Sequence, residues 1–421
     1  MYQKLIFHVD VNSAFLSWEA VYRMNILGEA LDLRTIPSAV GGDVSKRHGI
    51  ILAKSTPAKI YNIQTGEPIH QALQKCPGLV LVPPNHSLYE KYSRSLLNTL
   101  YQYTPDIEPF SIDEAFLDMT GACIGYDSPE DAAISIKERI KDELGFTVNI
   151  GISSNKLLAK MASDFTKPDM IHTLFLEEIP KKMWPLPLED LFFVGRATSK
   201  ILHGLGLKTI GDIASTDLSI LKAHLGNKHG QIVYNNAHGI DNDTVNSTVS
   251  PNKGYGNSTT LSQDVTDYET AHLVLLSLSE TVAARLRADD VKCNCVTVEI
   301  TDCDFRHQSH QTTLFSATNT TNIIYQTACL LLKEFWNGSP LRLLGIRTTK
   351  LCKEDYTQMN LFDMVKNERH EKLDKALDSI RDRFGNNAVK RASFIESHDD
   401  DDRVRGDDRV LDYDRDRDDH N

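Results

Sequence analysis

The chain has 421 residues, 41% hydrophobic and 25% charged, with a net charge of −12. That length exceeds one ordinary core and implies about three or four domains, while no apolar run reaches the roughly 18 residues of a membrane helix. The acidic balance taken alone argues against a nucleic-acid partner, but eleven Asp against five Arg from His398 onward carry half of it. Residues 253–353 balance ten basic against ten acidic groups, and a neutral domain can still present a basic face. The seven cysteines are scattered and odd in number, and no signal-like apolar stretch precedes the first strand, so a cytoplasmic protein with reduced thiols is expected. Cys293, Cys295, Cys303, His307 and His310 fit no zinc spacing.

Residues 4–9 read as a buried strand that runs out at Asp10. Later, Asp113 and Glu114 interrupt the apolar stretch from Phe110 to Leu117. Carboxylates at strand ends cost several kcal/mol to desolvate unless something positive neutralises them. Two adjacent acids and a third from another strand suit two divalent cations, which prefer oxygen ligands and clamp an in-line phosphoryl displacement. A hairpin turn at Asp113-Glu114 and an ordinary strand-end acid at Asp10 remain the alternative at this point. Ser128-Pro129-Glu130-Asp131 starts a helix whose face is Ala132, Ile136, Ile140 and Leu144. A strand over 147–152 leads to a helix over 155–166, stopped by Pro168. Leu157, Leu158, Met161 and Phe165 form its apolar side, with Lys156, Lys160 and Lys167 near the opposite side.

Residues 169–240 read as short helices broken at Gly195, Gly204, Gly206 and Gly211. Helix, glycine turn and helix can hold a DNA phosphate on backbone N–H groups without reading sequence. Residues 241–253 are polar, a linker candidate. Residues 254–352 form another α+β unit, with helices over 270–287 and 322–335 and strands over 295–301 and 342–350. An amphipathic helix with Leu373, Leu377 and Ile380 follows, and the Asp/Arg tail from His398 cannot bury a core.

His8-Val9-Asp10-Val11-Asn12-Ser13-Ala14-Phe15 and Ser111-Ile112-Asp113-Glu114-Ala115-Phe116-Leu117-Asp118 resemble the two metal-binding motifs of the Y-family, or translesion, DNA polymerases. Gly151-Ile152-Ser153-Ser154-Asn155-Lys156, with Ala159-Lys160-Met161-Ala162-Ser163-Asp164 and Lys167-Pro168, is similar to the third palm motif of that family. Val194-Gly195-Arg196 and Leu205-Gly206-Leu207-Lys208-Thr209-Ile210-Gly211-Asp212 resemble its thumb. Gly256-Asn257-Ser258 and Arg342-Leu343-Leu344-Gly345-Ile346-Arg347 resemble the start and end of its little finger. The resemblance covers residues 4–397 in family order and is nearest to the UmuC/DinB group, particularly the UmuC-like branch of Gram-positive bacteria.

The resemblance implies an α+β multidomain fold. The palm, a mixed sheet with helices, would take residues 1–13 and 79–168, small fingers 14–78 and a helix-hairpin-helix thumb 169–240. A linker would take 241–253, an α+β little finger 254–352, a clamp-binding motif and C-terminal helix 353–397, and a disordered acidic tail 398–421. It also implies a DNA-templated DNA polymerase for damage bypass, without proofreading. Asp10, Asp113 and Glu114 would hold two Mg²⁺, Mn²⁺ being able to substitute, with the Val11 carbonyl as a further ligand. Ser13, Ala14, Phe15, Thr56, Lys59 and Lys167 would bind the nucleotide. Lys167 would contact the triphosphate, aided by Lys59, and Phe15 would be the steric gate against ribonucleotides. Gly195, Arg196, Arg342 and Arg347 would contact DNA, and Gln358, Leu361 and Phe362 a bacterial sliding clamp. The implied partners are primer-template DNA, dNTPs and the clamp, with a UmuD-like subunit or recombinase filament as in some UmuC-like relatives.

Three positions depart from the pattern. Many relatives have a third, non-ligating acid where this chain has Asn12, and tyrosine where it has Ser13. Many have Tyr-x-x-Arg where it has Thr56-Pro57-Ala58-Lys59, and lysine is a point charge where arginine is a fork. Two other readings compete with this one. Val40-Gly41-Gly42-Asp43-Val44 superficially resembles a nucleotide-cyclase signature but lacks the acid and aromatic that should follow. A non-catalytic or accessory-dependent DNA- or clamp-binding relative would not need Asp10, Asp113 and Glu114 intact.

Overall fold

The run Ile6–Val11 forms strand β1, buried without a break along its length. A strand buried on both faces must be covered on both sides, and the rest of its unit does so. The computed structural model describes residues 4–42, 49–248, 251–353, 364–385 and 388–394, and these fall into two units that divide near residue 250. The clamp motif at 358–362, the tail and Asp43-Val44 lie outside the described residues.

In the first unit β1 is followed by α1 (Ala14–Asn25), β2 (Ser38–Gly41), β3 (Ile51–Lys54), α2 (Thr56–Lys59), α3 (Ile69–Lys75), β4 (Val80–Val82) and α4 (His86–Leu100). Then come β5 (Ile107–Pro109), β6 (Glu114–Asp118), α5 (Pro129–Leu144), β7 (Val148–Ser153), α6 (Lys156–Ser163) and β8 (Ile171–Thr173). The central sheet runs β5-β6-β1-β7-β8 and is mixed, antiparallel except for the parallel pair β7/β8. Phe7, Val9, Leu117, Ile150 and Ile152 share one core with Trp18, Leu96, Leu100, Ile136 and Ile140 of the helices. On the other side α6 lies against β1 and β7, where Ile6, Phe116 and Ala159 pack together. Gly151 permits this approach: a Cβ there would stand 1.9 Å from the Ala159 carbonyl oxygen.

Helix α1 has two apolar faces. Ala14, Trp18 and Val21 join the central core, while Leu16 and Ala20 pack with Leu33, Val40 and Val82. A small sheet, β3-β2-β4, lies on that second side. Two strands fall outside the segments expected for them. Residues 80–82 pair in parallel with β2 of the small sheet, although a division at 78/79 puts them with the central sheet. Residues 171–173 pair with β7, although a segment starting at 169 puts them with the helices. Short strands of three residues carry too little pattern to name their partner.

The helices α7 (Ile179–Lys182), α8 (Arg196–Gly204), α9 (Ile210–Ala214), α10 (Leu218–Leu225) and α11 (Asn227–Ala237) share a core with α6 through Leu157, Leu158 and Met161. A left-handed Gly206 (φ 84°) turns α8 towards α9, whose Thr209/Asp212 capping box starts it cleanly. Residues 241–248 have no regular structure but are held: Asp241 accepts from Leu157 N (3.0 Å) and Asn246 N donates to Glu108 (2.8 Å).

The second unit is an antiparallel sheet, β9 (Gly254–Val265), β10 (Lys292–Asp302), β11 (His307–Thr318) and β12 (Leu341–Cys352), ordered β11-β10-β12-β9. Helices α12 (Tyr268–Ala288) and α13 (Thr321–Phe335) cover one face, where Leu275, Val282, Val298, Ile324, Leu344 and Ile346 are buried. The last helix, α14 (Met364–Phe384), is joined to this unit by ion pairs from Asp374, Asp378 and Arg381.

Candidate active site

Antiparallel pairing of β1 and β6 sets Asp10 directly opposite Glu114, and the Val11 N–H bonds the Asp113 carbonyl oxygen at 3.1 Å. The register therefore brings the three acids singled out in the sequence to one end of the central sheet. Asp10 is buried. Burial raises its pKa and the Glu114 charge adds to this, against Lys167. Burial also raises Asp113, to about 6, helped by the charges of Glu114 and Asp10 and opposed by the Ser111 hydroxyl, which donates at 2.7 Å. Glu114 goes the other way: burial is outweighed by the His8 imidazole and the Lys160 ammonium, which hold it at about 2. The His8 Nε2 contact is long, 3.5 Å, and Lys160 makes the firm bond at 2.8 Å.

Lys167 Nζ lies 2.5 Å from Asp10 Oδ2 and 2.8 Å from Asp164, and those two carboxylates hold its pKa up despite burial. Lys160 is 8% exposed and also lies over the rings of Phe110 and Phe192, at 5.3 and 5.6 Å. Sequence periodicity put Lys160 near a polar side of its helix; the fold turns that side onto Glu114. His8 is buried, desolvation lowers its pKa, and its Nδ1 meets Ser163 Oγ at 2.8 Å. Neither residue was singled out as a site residue. The signal for Lys160 was its spacing, four residues after Lys156 and seven before Lys167; His8 carried none beyond its place two residues before Asp10.

Among the described residues no three His, Cys, Asp or Glu side chains converge to hold a metal ion, and Lys167 and Lys160 bond carboxylate oxygens of Asp10 and Glu114. The donor set nevertheless fits a hard divalent cation: three carboxylates, oxygen donors only, and more acids than lysines at the core of the cluster.

Ser13 adopts a left-handed conformation (φ 49°) as it caps α1, a strained state for a side-chain-bearing residue next to the acids. It is followed by buried Ala14 and half-buried Phe15. The Phe15 ring stacks on Tyr89 (4.4 Å, 13°), and the Tyr89 hydroxyl donates to buried Glu19 at 3.1 Å. The gate candidate is thus a supported ring at the edge of the core. Thr56 and Lys59 are exposed on α2, at the small sheet, and make no bond to the acids. Gly195 and Arg196 are exposed at the start of α8, where no side chain caps the helix. In the second unit Arg347 projects from the open face of β12, while the Arg342 guanidinium lies 4.5 Å over Phe305. No helix among the described residues is long and apolar enough to cross a membrane.

The profile of the impB/mucB/samB family matches residues 9–164, and that of its C-terminal domain residues 252–361. A profile described as the DNA polymerase-iota thumb domain matches residues 189–241. The chain is 48% identical over 393 residues to DNA polymerase IV of Clostridium acetobutylicum, covering 93% of this chain and 98% of that one. It is 34% identical over 395 residues to DNA polymerase IV 1 of Bacillus subtilis, covering 93% of each. A solved Y-family DNA polymerase chimera (Dbh-Dpo4-Dbh) shares the fold at a TM-score of 0.72 and 22% identity, over 83% of this chain and all of that one.

Proposed function

The chain belongs to the Y family of DNA polymerases, as a DNA-directed DNA polymerase of the lesion-bypass kind, and from that premise we propose that Asp10, Asp113 and Glu114 are its catalytic metal ligands. The observation that carries the reading is the register of Asp10 against Glu114, with Asp113 left short of a cation. The family generally uses divalent metal ions. Two Mg²⁺, held by the three carboxylates with the Val11 carbonyl, would activate the primer 3′-hydroxyl and stabilise the leaving pyrophosphate.

The residues around that centre then take definite parts. Lys167 neutralises Asp10 and is released to the triphosphate as that charge is met from elsewhere. Lys160 and His8 fix Glu114 from behind. Phe15, held flat by Tyr89, lies under the sugar and excludes a 2′-hydroxyl, with Ser13 and Ala14 at the bend below the triphosphate. Thr56 and Lys59 reach the nucleotide from the small sheet.

In domain terms the central sheet is the palm, the small sheet the fingers, and α8–α11 the thumb. Gly195 and Arg196 would meet phosphate there, and the second unit, with Arg342 and Arg347, is the little finger. Phosphate contacts should make binding of primer-template DNA fall steeply with salt. Gln358, Leu361 and Phe362 would dock on a sliding clamp, and a UmuD-like subunit or recombinase filament is a further candidate partner. Free cysteines accord with a cytoplasmic setting. The test is extension of a primed template with Mg²⁺ and single dNTPs, comparing wild type with Asp113→Ala/Glu114→Ala. Extension should be lost in the double variant on undamaged and abasic templates alike; an equally active variant would refute the assignment.

A further inference from the structure

The neutral residue at position 12 is the clue. Asn12 and Asn149 are both buried, 7% and 0% exposed, and their side-chain amides meet: Asn12 Nδ2 donates to Asn149 Oδ1 at 3.1 Å. Backbone groups at both ends force this orientation. Asn12 Oδ1 accepts from the Asp169 N–H (2.8 Å) and the Thr147 hydroxyl (2.9 Å), so an amino group cannot stand there. Asn149 Nδ2 donates to the carbonyls of Ser163 (3.0 Å) and Thr166 (2.8 Å), so an oxygen cannot stand there. Asn149 Oδ1 also accepts from the Met170 N–H at 3.2 Å.

These bonds fall on Thr166, Asp169 and Met170, on either side of Lys167. Asp169 is itself left-handed (φ 62°), a shape that needs such support. We propose that the Asn12–Asn149 amide pair is the positioning device for Lys167, and so sets this chain's affinity for the nucleotide triphosphate. The proposal rests on the reading of Lys167 as the triphosphate contact.

The pair also sets what an acid at position 12 would meet. An aspartate would keep the bonds to Asp169 and Thr147 but would face Asn149 Oδ1 across 3.1 Å, acceptor against acceptor. Asn149 cannot flip to relieve this, because its amino group serves two carbonyls. A buried group left facing a like group costs more than the bond it replaces.

The experiment is steady-state single-dNTP insertion on an undamaged primer-template with Mg²⁺, resolving KM from kcat, on the full chain. Four variants are compared: Asn12→Asp, Asn149→Ser, the double Asn12→Asp/Asn149→Ser, and Lys167→Met as the benchmark. DNA affinity and thermal midpoint are measured beside them. Asn12→Asp should raise the dNTP KM by about fivefold or more, the size of one hydrogen bond, with kcat and DNA affinity nearly unchanged. Asn149→Ser should raise it less. The double variant, whose serine hydroxyl can donate to the new carboxylate, should recover part of the loss.

A raised KM in Lys167→Met with a wild-type KM in both Asn12→Asp and Asn149→Ser overturns the pairing alone. A wild-type KM in Lys167→Met overturns the reading of Lys167 and the proposal with it. If Asn12→Asp does not fold, Asn149→Ser decides. Parallel falls in kcat, DNA affinity and thermal midpoint in that variant would reduce the pair to a packing role.

Discussion

In the first unit, buried Asp10 and half-buried Glu114 are each held by an ammonium group, Lys167 and Lys160. In the second, Asp374 and Asp378 share the guanidinium of Arg287. Arg287 bonds both oxygens of Asp378 (2.6 and 2.9 Å), while its Nη1 reaches Asp374 (3.3 Å) and the Asn319 carbonyl (2.8 Å). Asp374 also accepts from the Thr321 N–H at 2.8 Å, capping α13 from a different helix. The same side-chain chemistry is thus used in two ways. A lysine is a mobile point charge that can give up its partner to something better; an arginine fork fixes geometry. The acids of that site also include one, Asp113, whose carboxylate accepts from the Ser111 hydroxyl and, among the described residues, bonds no cation. Incomplete compensation marks the site that must accept charge, and full compensation marks architecture.

The sharpest break of that comparison removes charge where no cation compensates it. Asp113→Asn should slow nucleotide addition by about a thousandfold, ~4 kcal/mol of transition-state stabilisation. Its thermal midpoint without divalent metal should be unchanged or higher, because a carboxylate that burial disfavours has become neutral. Extension rates and a melting curve in EDTA measure both. A variant that keeps its activity and melts early would reverse the assignment of roles.

The opposite pattern is expected in the second unit. Asp374→Ala strips the cap from α13 and leaves Arg287, 7% exposed, short of one partner. Breaking a buried pair in this way costs about 3–5 kcal/mol. Denaturant unfolding of the full chain should show the loss in the transition of the second unit, and a shift below ~1 kcal/mol would place Asp374 among ordinary surface acids.

How much of this was legible depended on where each residue's partners lie along the chain. Asp10 and Glu114 were readable because each lies at or next to the end of a largely apolar strand, and strand register did the rest. The Ser128 start of α5 was readable because its cap and its Pro129 are adjacent in sequence. The helix expected from 270 begins two residues earlier, because Asp267 caps it through the Thr270 N–H at 2.7 Å.

Strands β9 and β11 were not picked out. Both are sheet-edge strands with one face open to solvent, and their sequences are largely polar. The roles of Lys160, His8 and Asn149 were missed for another reason: their partners are 46, 155 and 137 residues away, so even the lysine spacing that marks Lys160 does not name its partner. Asp374 was hidden in the same way, since its acceptor role belongs to a helix 53 residues earlier.

The finest test of the comparison keeps the charge and changes only its shape. Arg287→Lys retains a cation beside Asp374 and Asp378 but removes the fork that bonds both oxygens of Asp378 while a third nitrogen serves Asn319. One ammonium cannot reach all of these acceptors, so at least one buried carbonyl or carboxylate oxygen loses its donor. The expected cost is about 1–3 kcal/mol, the worth of one or two charge-assisted bonds and less than the loss from Asp374→Ala. Equilibrium unfolding of the two variants side by side gives the order. If lysine serves as well as arginine here, geometry does not distinguish the two clusters. The release assigned to Lys167 would then need a cause other than its being a point charge.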